Sequence, residues 1–177
     1  MGKIIDKILF FDKKLHFWAV NHPHKLAEKF FTILTGAGSG FFCLILAYPT
    51  IFIIGSPKIK HVIFAVFVAE SLGLLIIIIT RNFIRRERPR KKLKFLLKLP
   101  WNNQSFPSQH GLRSGLLATI WSIHYPMWAP INWTIALLIS FSRIYLQWHY
   151  LSDVIAGLLL GITCGWIASQ NYFIYPF

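Results

Sequence analysis

The feature that most restricts the fold of this chain is a nineteen-residue run at positions 62–80, in which Glu70 is the single charged side chain. A helix rises about 1.5 Å per residue, so a run of this length can cross the roughly 30 Å hydrocarbon core of a bilayer. The hydrophobic fraction of the whole chain, 55%, is also high for a soluble domain. The run therefore predicts a transmembrane helix.

The charge of the chain is strongly positive, with nineteen Lys and Arg against six Asp and Glu in 177 residues. A basic excess is common in nucleic-acid-binding proteins, but a binder of this size would not carry several long apolar runs. Basic and apolar composition together indicate a membrane protein that contacts the bilayer and its anionic headgroups or phosphates. We therefore predict one membrane-embedded domain over residues 1–177, with no nucleic-acid partner. The sequence indicates no protein partner.

Four further segments resemble spanning helices. One joins residues 30–35 to residues 41–54 across a glycine-rich break, and the others are residues 111–124, 133–147 and 154–168. The predicted fold class is therefore all-α, a multi-pass transmembrane helical bundle of five spans, or six if residues 15–35 cross separately. The last span carries small residues at every fourth position, a spacing that lets helix backbones approach closely in lipid. These residues are Gly157, Gly161 and Gly165.

Residues 3–18 show the periodicity of an amphipathic helix. An apolar stripe contains Ile8, Phe11 and Leu15, and lysines lie on another side. This pattern is typical of a helix that lies in the membrane interface. Packing against the rest of the protein fits the pattern equally well. We predict an N-terminal interfacial amphipathic helix.

The order of the spans brings polar residues to one side of the membrane. If residues 62–80 cross in one direction, the segment after them and the start of the next helix lie on the far side. Two more crossings return the chain to that side. The polar residues that meet there are Arg81, Arg88, Ser108, His110, Ser142, Arg143, His149 and Asp153.

These residue types suit the binding and transfer of phosphate. A guanidinium is a planar fork that matches phosphate oxygens, and backbone N–H groups at a helix start also favour an anion. His149 and Asp153 are four residues apart, so on a helical turn they lie on one face. A carboxylate on one ring nitrogen fixes the tautomer and leaves the other nitrogen free to attack.

A metal site built from His110, His149 and Asp153 is the competing interpretation. Two-metal phosphatases and zinc hydrolases use more carboxylates or histidines than this cluster contains, and the arginines would repel a divalent cation. We therefore predict no metal. Four other acids lie in basic stretches where we expect surface positions, and they are Asp6, Asp12, Glu28 and Glu87.

Glu70 lies in the middle of a predicted span, where a carboxylate is a candidate functional residue. The alternative is a neutral or hydrogen-bonded packing residue, which we favour over a role in catalysis. Cys43 and Cys164 lie within apolar runs and lack the spacing of metal ligands. We interpret both as small hydrophobic residues.

The same residues resemble the motifs of the type 2 phosphatidic acid phosphatases, a family that shares its active site with the vanadium haloperoxidases. The family motifs are a Lys, six residues and Arg-Pro; Pro-Ser-Gly-His; and Ser-Arg, five residues, His, three residues and Asp. Arginine replaces the family lysine and keeps its charge, while glutamine replaces glycine and adds a side chain beside the phosphate. Here the motifs are Arg81 with Arg88-Pro89, Pro107-Ser108-Gln109-His110, and Ser142-Arg143 with His149 and Asp153.

The resemblance implies a role for each of these residues. His149 would attack phosphorus and form a phosphohistidine, Asp153 would orient it, and His110 would protonate the departing alkoxide. Water would then release phosphate, and no cofactor is implied. The groups that would hold the phosphoryl oxygens are Arg81, Arg88, Ser108, the Gln109 backbone and Arg143.

The resulting prediction is a metal-independent lipid phosphatase. Its substrate stays open among lipid A 1-phosphate, phosphatidylglycerophosphate, undecaprenyl diphosphate and phosphatidic acid, because the motifs describe the phosphate pocket and not the acyl side. A lipid phosphotransferase on the same scaffold is the related alternative. Apolar spans disfavour a vanadate-dependent haloperoxidase, since those relatives are soluble. The complete set of catalytic residue types disfavours a non-catalytic lipid-binding protein.

The expected location is the bacterial cytoplasmic (inner) membrane, where two arguments about orientation conflict. Most loop Lys and Arg residues lie on the active-site side, and the positive-inside tendency places such loops in the cytoplasm. Bacterial members of the family usually act on the outer face, and phosphate-binding or interfacial segments can override the charge tendency. We predict that the active site faces the periplasm.

Overall fold

The computed structural model describes residues 2–37, 53, 55–90 and 103–174. These residues form α-helices and one 3-10 turn, without a named strand, so the predicted all-α class is confirmed. Most of the predicted span at residues 30–54 lies outside the described residues. The helices are α1 (Gly2–Asn21), α2 (Lys25–Ala37), α3 (Pro57–Phe83), α4 (Gln109–His124), α5 (Ala129–Tyr145) and α6 (Leu151–Ile174), and the 3-10 turn is Pro126–Trp128.

The helix α3 begins at a capping signal. Ser56 is its N-cap and accepts a hydrogen bond from the Ile59 amide at 3.5 Å, and Pro57 occupies the first turn, where no amide donor is needed. α3 and the segment Leu151–Gln170 of α6 are long and apolar enough to cross a membrane. α4 and α5 have 16 and 17 residues, below the roughly 20 that a spanning helix usually needs. The count of five spanning helices therefore stays a prediction.

A glycine seam joins α4 and α6. A Cβ atom at Gly157 would collide with the Ser108 carbonyl oxygen, and one at Gly161 would collide with the Leu112 carbonyl oxygen. The glycines predicted as packing positions therefore bring the two backbones into direct contact. This close approach places the first turn of α6 beside the first turn of α4.

The outer surface of the bundle is rich in large apolar side chains. In water such a surface would be a strong aggregation hazard, whereas in a bilayer it faces hydrocarbon. The exposed side chains on α3, α5 and α6 include Phe64, Phe67, Leu75, Leu137, Leu159 and Trp166.

The helices α1 and α2 both contact the end of the bundle where α4 and α6 begin. Asp12 of α1 and Thr35 of α2 bind side chains at this end. Between them, the Tyr145 hydroxyl donates to the His22 carbonyl at 3.2 Å and accepts from the His24 amide at 3.1 Å. The chain between α1 and α2 is therefore held at this end of the bundle, and the choice between five and six spans stays a prediction.

The amphipathic helix predicted at residues 3–18 is present as α1, with its apolar stripe turned outward. Ile8 and Phe11 are exposed, whereas Asp12 and Ala19 are the only buried side chains among those that the structure describes in α1. α1 therefore contacts the protein through Asp12 and Ala19, with the Trp18 ring beside Tyr145, and leaves Ile8 and Phe11 available to the membrane interface.

Candidate active site

The site is built around the N-terminus of α4. The Ser108 hydroxyl caps this helix by accepting the Gly111 amide at 3.3 Å, and the Ser108 amide donates to the Asp153 carbonyl at 2.9 Å. The second bond joins the starts of α4 and α6. Gln109 and His110 form the first turn of α4, where unpaired backbone N–H groups favour an anion.

Two of the predicted phosphate ligands come from the end of α3 and the segment after it. Nη2 of Arg81 donates to the Pro107 carbonyl at 2.9 Å, and Nη1 of Arg88 donates to the Trp148 carbonyl at 3.1 Å. These carbonyls orient the guanidinium groups without carrying a compensating charge. Burial, with a smaller effect from Arg81, lowers the pKa of Arg88 to about 10, so Arg88 stays protonated at neutral pH.

Arg143 is held at the end of α5 on the same side of the bundle. Its Nη1 donates to the Thr35 hydroxyl at 2.7 Å, and its guanidinium carbon lies 4.0 Å from the centre of the Trp148 ring. The side chain is buried, with 3% of the residue exposed. Stacking and a neutral acceptor therefore fix this cation in place.

The contacts of His149 define its tautomer. Nδ1 lies 2.8 Å from the Ser105 carbonyl oxygen, and Nε2 lies 3.0 Å from Nη1 of Arg88. A carbonyl oxygen accepts only and a guanidinium donates only, so these contacts assign the proton to Nδ1 and the lone pair to Nε2. The unprotonated nitrogen therefore points at the arginine-rich side of the site.

The surroundings of His149 also favour its neutral form. Burial lowers the pKa of this imidazole well below its usual value, and the positive charges of Arg88, Arg143 and Arg81 lower it further. His149 therefore keeps an unprotonated ring nitrogen at neutral and mildly acidic pH.

Asp153 does not make the hydrogen bond to His149 that the four-residue spacing suggests. Its Oδ2 is 3.7 Å from Nδ1 of His149 and accepts the Tyr150 amide at 2.9 Å instead. The spacing argument assumed a helix, but α6 begins at Leu151, and His149 lies in the preceding turn. The Ser105 carbonyl, which the sequence analysis missed, occupies the orienting position.

His110 completes the cluster of predicted residues. It lies within electrostatic reach of Arg88, Arg143 and His149. The structure therefore brings the eight predicted site residues to one end of the bundle, and their catalytic roles stay predictions. Among the described residues, no three His, Cys, Asp or Glu side chains form a group that could hold a metal ion.

Two residues near the site were not identified from the sequence. Asp12, expected at the surface, is 2% exposed, and that expectation was wrong. It binds Nη2 of Arg86 at 2.6 Å, and Nη1 of Arg86 binds Oδ1 of Asp153 at 2.7 Å. No local pattern marks Asp12, because its partners lie 74 and 140 residues away. Arg86 carried a signal, since it lies within the first motif, between Arg81 and Arg88.

Glu70 and Arg113 form a second charged contact deeper in the bundle. Nε of Arg113 donates to Oε1 of Glu70 at 2.7 Å, and Nη2 contacts the same oxygen. The two side chains are 1% and 2% exposed. Glu70 is therefore a hydrogen-bonded residue, as favoured above, with a partner that the sequence analysis did not name. A signal was available, because Arg113 is a charged residue within a predicted span.

Comparisons with known proteins agree with this architecture. The crystal structure of Aquifex aeolicus LpxE matches with a TM-score of 0.71 and 29% identity, covering 89% of this chain and 93% of that chain. The crystal structure of a transmembrane PAP2 type phosphatidylglycerolphosphate phosphatase from Bacillus subtilis matches with a TM-score of 0.72 and 23% identity, covering 100% of both chains.

The family assignment follows from a match that contains the whole site. The PAP2 superfamily matches residues 58–175, from the start of α3 to the end of α6. This range includes every arginine, histidine and aspartate predicted for the site. The chain therefore belongs to the PAP2 superfamily and is a membrane phosphatase that hydrolyses phosphoric esters.

Proposed function

We propose that this protein is a metal-independent lipid phosphatase that hydrolyses a phosphate monoester or diphosphate of a membrane lipid through a phosphohistidine at His149. The observation that carries the proposal is the tautomer of His149. Its Nδ1 proton is directed to the Ser105 carbonyl, and its Nε2 lone pair lies beside Arg88. A neutral imidazole with a lone pair next to an anion-binding group is suited to attack phosphorus.

The first step forms a bond from Nε2 of His149 to phosphorus and breaks the bond from phosphorus to the lipid oxygen. Burial and the neighbouring arginines lower the pKa of His110, and the bound phosphate dianion offsets this effect, so that protonated His110 supplies the proton that the leaving oxygen takes up. The imidazole becomes positively charged, and the Ser105 carbonyl and the Asp153 carboxylate lie near enough to stabilise that charge. Phosphate binding replaces the contact between Arg88 and Nε2, since the same guanidinium then binds a phosphoryl oxygen.

The second step transfers the phosphoryl group to water. His110, now neutral, accepts a proton from the water as it attacks phosphorus, and the bond to Nε2 breaks. Once phosphate is bound, the charge on the phosphoryl oxygens is stabilised in both steps by donors that are already in place. These donors are Arg81, Arg88, Arg143, the Ser108 hydroxyl and the Gln109 backbone N–H.

The substrate is a lipid phosphate or diphosphate at the membrane surface, and four candidates follow from the sequence. They are lipid A 1-phosphate, phosphatidylglycerophosphate, undecaprenyl diphosphate and phosphatidic acid. The phosphatidylglycerolphosphate phosphatase named above is 23% identical, which is evidence for a common fold and does not select among the four. The test is phosphate release from each purified lipid in detergent, with the full chain and with His149→Ala.

The same assay separates a phosphatase from a phosphotransferase. With one lipid present, a phosphatase releases one free phosphate for each lipid dephosphorylated. A phosphotransferase needs a second lipid as acceptor and releases little. Stoichiometric release of free phosphate is the expected result, and release that depends on an added acceptor lipid would contradict it.

The protein is proposed to lie in the bacterial cytoplasmic membrane with the site on the periplasmic face. Single cysteines at Arg90, on the active-site side, and at Lys58, at the start of α3, test this in a background lacking Cys43 and Cys164. The cysteine at position 90 should react with an impermeant thiol reagent in intact cells, and the one at position 58 should react only after lysis. The reverse pattern would support the positive-inside argument.

A further inference from the structure

Asp12 of α1 makes more contacts with the active-site end than its place in an exposed helix suggests. Its Oδ1 accepts the Ser152 amide at 2.9 Å, and its Oδ2 accepts the Ser152 hydroxyl and Nη2 of Arg86, both at 2.6 Å. Both oxygens of this carboxylate are therefore engaged, and the residue is 2% exposed. A buried carboxylate with three donors is held in one position.

Arg86 connects this carboxylate to the active site. Its Nη1 donates to the Ser152 hydroxyl and to Oδ1 of Asp153, both at 2.7 Å. Its guanidinium carbon lies 4.2 Å from the centre of the Tyr150 ring. One guanidinium thus binds two carboxylates and stacks on the residue that follows His149, so it fixes the segment 150–153 from three directions.

We propose that Asp12 is a positioning residue for phosphoryl transfer, acting through Arg86 and Ser152 to hold Asp153 and the turn that carries His149. The inference rests on the proposed role of His149 as nucleophile. It makes α1 part of the active site, although α1 precedes the residues 58–175 that match the superfamily. Asp12 does not touch the reacting atoms.

A purely structural anchor would look different. The net stability gained from a buried ion pair is small, and apolar residues of similar size often serve better. On α1, however, Ile8 and Phe11 face outward, and the larger of the two side chains described there as buried, Asp12 and Ala19, is a carboxylate. The geometry suits orientation of Ser152 and Asp153 better than attachment of a helix.

The experiment compares Asp12→Asn with Asp6→Asn, a control on the same helix at an exposed position. Each full-length variant is purified in detergent and assayed with nitrophenyl phosphate for kcat, KM and the rate of acid-labile phosphoenzyme formation. Asn keeps the size of the side chain but loses the charge that binds Arg86. Asp12→Asn should lower kcat and the phosphoenzyme rate about 10- to 100-fold, as for other residues that orient catalytic groups, with KM changed less than about 2-fold. Asp6→Asn should match the unaltered enzyme.

Ser152→Ala keeps the test decisive if Asp12→Asn folds poorly, because it removes the hydroxyl between Asp12 and Arg86 and should also lower kcat with little change in KM. Where Asp12→Asn folds, its effect on kcat should be non-additive with that of Arg86→Gln. A normal kcat per folded molecule with a lower unfolding temperature would show that Asp12 is an anchor only. A change in KM alone would also overturn the proposal. If the unaltered enzyme forms no phosphohistidine, the proposed mechanism fails. The ratio of kcat between Asp12→Asn and the unaltered enzyme still tests the role of Asp12 in that case.

Discussion

Within the part of the chain that the structure describes, arginine pairs with a buried carboxylate in two places, and the two places are built differently. In the middle of the bundle, one guanidinium meets one carboxylate, Arg113 with Glu70, and both are almost fully enclosed. At the end of the bundle, Arg86 is shared by Asp12 and Asp153 and is 23% exposed. The inner pair joins α3 to α4, whereas the outer cluster joins α1 to the segment that follows His149.

The balance of charge also differs between the two places. The inner pair is neutral as a whole, which is the arrangement that a hydrocarbon environment demands. The outer end combines four arginines with two carboxylates, so the cluster carries a net positive charge. Its arginines are oriented largely by carbonyls, a hydroxyl and an imidazole. A net positive pocket held by neutral groups is suited to a dianionic ligand. The members of this cluster are Arg81, Arg86, Arg88, Arg143, Asp12 and Asp153.

The largest expected effect is loss of the nucleophile at the outer end. His149→Ala should abolish turnover of every phosphate ester, because attack by Nε2 precedes departure of any leaving group. It should also abolish the acid-labile phosphoenzyme, measured after rapid quenching with radiolabelled substrate. Turnover at a good fraction of the unaltered rate would identify another residue as the nucleophile.

The next largest effect is expected at His110 and tests whether this residue is the general acid. A lipid alkoxide is a poor leaving group, and a general acid accelerates its departure roughly a hundred- to ten-thousand-fold. His110→Ala should lose this factor on a lipid monophosphate but keep much more activity on a nitrophenyl ester, whose anion is stable without a proton. A lipid diphosphate should give an intermediate loss. Equal losses on all three substrates would mean that His110 binds phosphate and does not act as the acid.

The sequence predicted those parts of the molecule that depend on local pattern. The length of an apolar run predicted α3, and the spacing of glycines predicted the seam between α4 and α6. The order of the spans predicted that Ser108 and His149 lie at one end. The prediction about Asp153 was less accurate because it required a helical turn that the chain does not form there. Asp12 and the Ser105 carbonyl were missed because they reach the site by tertiary contact, and a backbone carbonyl has no signature in sequence.

Substitutions in the inner pair, Glu70 and Arg113, should have a small effect on activity and a large effect on stability. Glu70→Gln leaves Arg113 charged in the bundle interior and should lower the free energy of unfolding by about 3–5 kcal/mol. Replacing both residues, as Glu70→Leu with Arg113→Met, should restore most of the stability, because neither charge then remains buried. Unfolding in detergent is monitored by circular dichroism, and kcat is measured below the transition.

These two variants test whether the inner pair is structural, in contrast to the outer cluster. If the inner pair is structural, the double variant should keep kcat within a few-fold of the unaltered enzyme. If the stable double variant is inactive, Glu70 or Arg113 belongs to the catalytic machinery. The distinction between a neutral structural pair and a positive catalytic cluster would then be wrong.

The smallest expected effect is that of a chelator. A divalent metal in a phosphatase neutralises charge on the transferred group and polarises its oxygens, and here arginines are placed to supply that neutralisation. Excess EDTA should therefore leave kcat and KM unchanged, measured on a lipid phosphate in buffers treated to remove metals. Vanadate should inhibit under the same conditions, because its five-coordinate form resembles phosphorus during transfer and binds the same guanidinium groups. Loss of activity in EDTA that one divalent ion restores would mean that the arginines do not suffice, and the outer cluster would then have to be understood as part of a metal site.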